Sequence, residues 1–251
     1  MARRTAHLPA HSLLLWAVAG GPQAQAVGPV RFLEPVWGAP AYCATMLEQV
    51  NRGAREPRPE DFLAAGRMLE SGECVLRNEA RASQFYGQAA RRGEPVAARR
   101  LALLFGAGRG VRQSYANAGA WLAGKGGTDE RIEPWDYSIG VAYTLIAASL
   151  EQLRYPQASW PAGLAMTLAV EADTQRPGRL VWRFTGERVS QTEALAGPMN
   201  EAVDAAVALA LLRMAPADAR YRVAARVTLP ITVRHEAGGR FVVTEQDVLL
   251  R

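Results

Sequence analysis

One stretch of this chain repeats another that lies 36 positions upstream, and that offset limits what the chain can fold into. Residues 94–127 read EPVAARRLALLFGAGRGVRQSYANAGAWLAGKGG. Shifted back, Leu104 falls on Met68, Gly108 on Gly72, Val111 on Val75, Ala118 on Ala82, Trp121 on Phe85 and Leu122 on Tyr86. Each copy reads as two short helices. Ala98, Leu101, Ala102, Leu104 and Phe105 mark one apolar face, and Tyr115, Ala118, Trp121 and Leu122 mark the next. Gly106, Gly108 and Gly110 are read as the break between them. A constant offset through helix, turn and helix predicts stacked units, because one such hairpin cannot bury its apolar face alone.

Ala102, then Phe105-Gly106-x-Gly108-x-Gly110-Val111, then Tyr115-Ala116-x-Ala118-x-x-Trp121-Leu122, resembles the Sel-one-like repeat, a relative of the tetratricopeptide hairpin. The repeats are placed at 59–93 and 95–127, inside a helical domain spanning 27–130. The first copy departs from the pattern at Cys74, which stands where the second turn has Gly110. The resemblance implies a curved surface that binds other proteins.

Residues 1–26 read as a signal peptide. Arg3 and Arg4 give a basic start, Leu13 to Gly20 an apolar centre, and Ala24-Gln25-Ala26 a small-x-small cleavage site. The apolar run is shorter than the roughly 20 residues of a membrane span. Export to the periplasm is therefore expected, with an uncleaved inner-membrane anchor as the alternative and no stable membrane span after cleavage. Without this segment the chain carries 27 basic and 24 acidic residues. So mild a balance gives no reason to expect nucleic acid as a partner. In an exported chain the two cysteines, Cys43 and Cys74, are expected to form one disulfide. It would join a helix over 41–51 to the first repeat turn; two buried thiols are the alternative.

Glu133-Pro134 reads as a helix start. Ile139, Ala142, Tyr143, Ile146, Leu150 and Leu153 form a broad apolar stripe, so 131–153 is expected to cap the repeats or connect them to the next module. The period then changes. Leu164, Met166, Leu168 and Val170 alternate with small and polar neighbours, as do Leu180, Trp182 and Phe184. Asp173 to Gly178, with Pro177-Gly178, is the turn between these strands. Met199, Val203, Ala206, Val207, Ala210 and Met214 give a helical stripe, and Tyr221, Val223, Ala225, Val227 and Leu229 a third strand. The fold class is therefore α+β: N-terminal α/α repeats followed by a small antiparallel sheet with one covering helix.

Arg154-Tyr155-Pro156, Gly163, the two strands, the helix with Ala205-Ala206-Val207, and Arg226-Val227-Thr228-Leu229-Pro230-Ile231 resemble the C-terminal domain of the TonB family over 154–239. The tail 240–251 is an addition to that pattern. The family couples inner-membrane energy to outer-membrane receptors, and its domain binds a receptor segment by adding a strand to a sheet edge. The resemblance implies partner-binding positions at Tyr155, Pro156, Arg222 and Arg226, with the strand 221–229 at the sheet edge. The tail, through Phe241-Val242-Val243, is the competing cover for that strand. An energy transducer also needs an anchor and a long proline-rich spacer. This sequence shows neither if cleavage follows Ala26, so the module is expected to bind rather than transmit force.

Catalytic, cofactor and metal sites are not expected. Beyond residue 26 the one histidine is His235, read as a solvated strand-end residue beside a hairpin. Gly106-Ala107-Gly108-Arg109-Gly110 follows a helix and lacks the Lys-Ser/Thr ending of a phosphate loop. Glu60-Asp61 and Asp129-Glu130 read as helix-start charges. Arg91-Arg92 and Arg99-Arg100 read as a solvated face, with an acidic partner as the alternative. The expected function is a non-enzymatic periplasmic protein-binding scaffold of the cell envelope. Its partners would be proteins or peptides, outer-membrane receptors or cell-wall components among them. The alternatives are an accessory component of TonB-dependent transport and a peptidoglycan or envelope-stress factor.

Overall fold

The computed structural model describes residues 33–35, 38–54, 56–128, 130–155, 163, 165–176, 179–184, 193–221, 223–238 and 240–251. The segment 1–26 with its cleavage site, Asp129, Pro156, Leu164, Pro177-Gly178 and Arg222 lie outside the described residues. The fold is α+β. Its helices are α1 (Tyr42–Arg52), α2 (Pro59–Ser71), α3 (Glu79–Ala90), α4 (Pro95–Ala107), α5 (Tyr115–Leu122), α6 (Pro134–Gln152) and α7 (Glu193–Arg213). Its strands are β1 (Ala165–Asp173), β2 (Leu180–Phe184), β3 (Arg226–Glu236), β4 (Arg240–Glu245) and β5 (Leu249–Leu250).

The two repeats are built by the same local rules. Helices α2 and α4 start with a proline, where a missing N–H costs nothing. Helices α3 and α5 start behind Asn78 and Ser114, whose side chains accept the N–H of Arg81 at 2.9 Å and of Asn117 at 3.1 Å. The turns superimpose in detail. Gly72 and Gly108 take left-handed φ values of 77° and 69°. The N–H of Asn78 reaches Leu69 O at 2.8 Å, and that of Ser114 reaches Phe105 O at 2.9 Å. Two residues past each glycine the backbone is left-handed again, at Cys74 (φ 64°) and Gly110 (φ 67°). Gly106, expected in the break, is instead an inner residue of α4. Thr144 of α6 lies over it, and any Cβ there would overlap that side chain.

Helix α6 also begins with a proline, and it packs on α5 and α4 as a further first helix would. Its other side meets β1, β3 and α7. It is thus buried nearly all round, including Asp136, Ser138, Thr144 and Ser149. Close approach is possible because Gly119 of α5 and Gly140 of α6 face each other's backbones; a Cβ on either would overlap a carbonyl oxygen of Asp136 or Tyr115. A single core therefore runs from Ala102 and Leu103 through Ile139, Tyr143 and Ile146 to the sheet. A second core, with Leu47, Phe62, Met68, Tyr86 and Leu104, fills α1 to α4.

The sheet is antiparallel in the order β2-β1-β3-β4, with β5 also pairing β3. Val227, Leu229, Ile231 and Val233 of β3 point into the core and are fully buried, each side chain stabilising by about 1.5–3 kcal/mol. The stripe expected on α7 is there: Met199, Val203, Ala206, Val207 and Ala210 are buried.

The third strand differs from the expectation. It starts at Arg226, not Tyr221, because Ala219–Tyr221 is a 3-10 turn and 223–225 is held irregular. The Thr174 hydroxyl donates to Val223 O at 2.7 Å and accepts from the Ala225 N–H at 2.9 Å. Nor is the strand an edge. β1 pairs it on one side, and the tail 240–251 pairs it on the other as β4 and β5. Pro230, a residue usually kept out of central strands, sits where β4 has ended and β5 has not begun, opposite Gln246. Its missing N–H leaves no gap in a ladder.

Candidate functional site

Two hollows adjoin on the inner side of the repeats. The larger, about 710 Å³, lies against α1, α2 and α4, with Met46, Val50, Met68 and Arg77 in its wall. The smaller, about 470 Å³, lies between α4, α6 and β4, with Leu103, Tyr143, Tyr155 and Val243 in its wall. Arg67, Arg100 and Glu151 line both, so the two form one groove ending at the β4 strand.

The polar residues of the groove are mostly engaged. Arg109 donates to Glu70 at 2.6 Å and to Glu151 at 3.0 Å. The Tyr86 hydroxyl donates to the other Glu70 oxygen at 2.6 Å. Burial, reinforced by the Glu70 charge, pushes the Tyr86 phenol far above its ordinary pKa, so it stays a donor. Burial pushes Tyr143 up as well, and Tyr155 to about 12. Arg77 pairs with Glu79 at 2.6 Å. Arg99 is 5 % exposed and holds two carboxylates from the end of β4 and the turn after it, Glu245 at 3.3 Å and Asp247 at 3.4 Å. Arg100 has Glu151 at 4.0 Å. Among the described residues Arg67, exposed on α2, has no carboxylate within ion-pair distance. No histidine or cysteine among the described residues lines the groove. It offers cations, carboxylates and aromatic walls beside a strand.

The residues singled out in the sequence are dispersed. Cys43 and Cys74 are joined, with Cα atoms 5.2 Å apart, and the bridge ties α1 to the first repeat turn. Tyr155 lines the groove, but its ring is stacked on Phe241 at 4.9 Å, and Phe241 is stacked on His235 at 4.7 Å. His235 is thus a buried core residue rather than a solvated one. Arg226 faces Glu171 at 3.3 Å and Asp173 at 3.7 Å across β1, and its backbone exchanges hydrogen bonds with Arg251. It closes the sheet rather than offering an edge. Pro156 and Arg222 lie outside the described residues.

Arg99-Arg100 is a groove wall rather than a solvated face. Arg92 lies over the Phe62 ring at 4.6 Å. Asp61 serves as the expected helix-start acid, accepting the Arg58 N–H at 2.9 Å. Sequence reasoning missed Arg67, Arg109 and the exposed flank of β4. A doubled Arg at 99–100 was the one local signal for the groove. In comparisons with known proteins, the chain matches no family model, no curated protein and no solved structure.

Proposed function

We propose that this chain is a non-enzymatic protein-binding scaffold of the bacterial periplasm, and that its groove receives an extended segment of a partner along β4. The observation that carries this reading is the position of β4. It is the last strand of the sheet, no strand among the described residues pairs with its outer side, and it forms one wall of the groove. An edge strand with unpaired backbone groups is a template for another chain. The disulfide supports an oxidising compartment, in line with the signal-peptide reading of residues 1–26. The test is photo-crosslinking in living cells from a reactive amino acid at Val243, which is exposed on β4 and lines the groove. The control is the same residue at Leu76, which is exposed on a repeat turn away from the strand. Adducts with discrete proteins at Val243 and not at Leu76 are expected. Equal labelling at both positions would remove the support for β4 as a binding edge.

A further inference from the structure

We infer that the groove selects an acidic segment: a partner strand adds to β4 while one of its carboxylates is held between Arg67 and Arg100. This rests on the reading of β4 as a binding edge and adds the chemistry of what binds there.

The hydrogen-bond alternation of the sheet says which β4 groups face outward. Arg226 and Arg251 exchange both backbone hydrogen bonds and Pro230 O accepts the Gln246 N–H at 2.9 Å, whereas His235 O turns the other way to accept the Gly163 N–H at 2.7 Å; the even-numbered residues of β3 thus face the tail. In an antiparallel ladder such pairs alternate. Counting along the register, Glu245, Val243 and Phe241 stand opposite Ile231, Val233 and His235 at the non-bonded positions. Their N–H and C=O groups therefore point away from β3, to the side on which no strand among the described residues pairs. Opposed residues share a face of the sheet. Ile231, Val233 and His235 are buried on the helix side, so Phe241, Val243 and Glu245 lean to that side too. The residues with outward backbone groups are thus the ones whose side chains meet α4 and α6. A segment added to β4 would run directly past the arginines of the groove.

Charge then decides what kind of segment fits. The chain already shows how α4 receives carboxylates, because Glu245 and Asp247 both reach Arg99. With two acids on it, Arg99 has little left to offer. The next cations are Arg100, whose one carboxylate contact is at 4.0 Å, and Arg67, which has none among the described residues. A basic segment would set like charges together in a partly desolvated groove. An apolar one would cover Arg67 without pairing it. An Asp or Glu side chain gives both guanidinium groups an acceptor. Phe241-Val242-Val243 is an uncharged run, and β4 holds neither proline nor lysine against pairing.

The probes are fluorescent blocked hexapeptides of alternating Thr and Val, with Glu, Gln or Lys at one central position. Their binding to the full chain is read by fluorescence anisotropy at low and at physiological salt. The Glu peptide should bind about tenfold tighter than the Gln peptide, with a gap that narrows as salt rises. Arg67→Gln with Arg100→Gln should bring the two peptides to equal affinity. Val243→Pro removes an outward N–H without touching the ladder to β3, and should weaken all peptides alike. Far-UV circular dichroism checks that each variant is folded, and the single Arg67→Gln, at an exposed position, keeps the test alive if the double variant is not. Equal binding of Glu and Gln peptides by the unaltered chain, still lost in Val243→Pro, would overturn the acid selectivity and leave the edge reading standing. Binding that ignores Val243→Pro, or no peptide binding at all, would overturn both.

Discussion

The first and second repeats share a backbone but differ in what presses on them. At one matched position the first repeat has Cys74 and the second has Gly110, both left-handed. Both contact the unit before them. Cys74 does so by extending a side chain into a disulfide with α1. Gly110 does so by having none, since a Cβ there would overlap the backbone where α3 begins. At another, Ser83 of α3 corresponds to Gly119 of α5. Ser83 folds its hydroxyl onto Ala80 O at 2.7 Å, whereas Gly119 makes room for α6. The first repeat is therefore held partly by a covalent cross-link, and the second by backbone-to-backbone packing against α6. Matching positions in a repeat specify the backbone; the neighbour specifies the side chain.

The largest effect should come from Gly119→Val. Its side chain would enter the Asp136 carbonyl and the Ile139 side chain, and α6 is the link between the repeats and the sheet. Backbone rather than a movable side chain blocks the added group, so the cost exceeds that of ordinary overpacking and this variant should lose cooperative thermal unfolding. Ser83→Val, at the matched site in the first repeat, should retain it. A cooperative melt for Gly119→Val would break the contrast.

A smaller loss is expected from the pair that caps this junction. Lys125, the one lysine of the chain, donates to the fully buried Asp136 at 3.1 Å. The same carboxylate oxygen accepts the Glu133 N–H at 2.7 Å. Removing one partner strands a buried charge, so Lys125→Met should destabilise by about 3–5 kcal/mol. In urea titrations Lys125→Met with Asp136→Asn should recover part of that. No recovery in the double variant would mean that packing, not charge, holds the junction.

Next comes the covalent link of the first repeat. Reduction, or Cys43→Ala, should cost about 3–4 kcal/mol for a loop of this span in the chain-entropy account. The loosened part should be α1, which packs on little besides α2 and is otherwise tied through Asn51, whose side chain exchanges hydrogen bonds with the Leu33 backbone at 2.9 and 2.8 Å. Amide exchange should rise over 42–52 on reduction and stay unchanged over 115–122. Because Met46 and Val50 line the groove, its wall loosens with α1.

How far the sequence reveals this structure depends on how many sides of an element are covered. Helix α7 buries one face, and its stripe from Met199 to Ala210 could be read from period alone. Helix α6 is covered from two directions, so Ser138, Thr144 and Asp136 are buried although they break any apolar stripe. They survive burial through local or distant hydrogen bonds: Thr144 Oγ1 donates to Gly140 O at 2.6 Å, and Ser138 Oγ accepts the Val223 N–H at 2.8 Å. The early start expected for β3 has a similar cause. Tyr221, Val223 and Ala225 continue the alternation of the true strand, and only Thr174, some 50 positions away, ends it. The disulfide could be expected from the two cysteines and the signal-peptide reading of residues 1–26. The groove could not, because Arg67, Arg100 and Val243 meet only through the stacking of α2, α4 and the tail.

The smallest predicted effect sharpens the contrast most, because it separates backbone strain from packing at one repeat position. With the bridge removed by Cys43→Ala, residue 74 has no cross-link but keeps its left-handed turn. Glycine takes that conformation freely, whereas an L side chain there costs about 1–2 kcal/mol. Glycine also gains roughly 0.4–1 kcal/mol of unfolded-state freedom, which acts the other way. Cys43→Ala with Cys74→Gly should therefore be about 1 kcal/mol more stable than Cys43→Ala with Cys74→Ala. In the second repeat the same exchange, Gly110→Ala, meets the left-handed cost and also the overlap with the Glu79 and Ala80 backbone. Its loss should clearly exceed the difference measured at position 74. Denaturant midpoints of the four proteins decide the matter. Equal alanine penalties at both positions would mean that α3 yields to the added methyl and that strain alone sets the cost in both turns. A larger penalty at 110 assigns the excess to the packing of one repeat on the next.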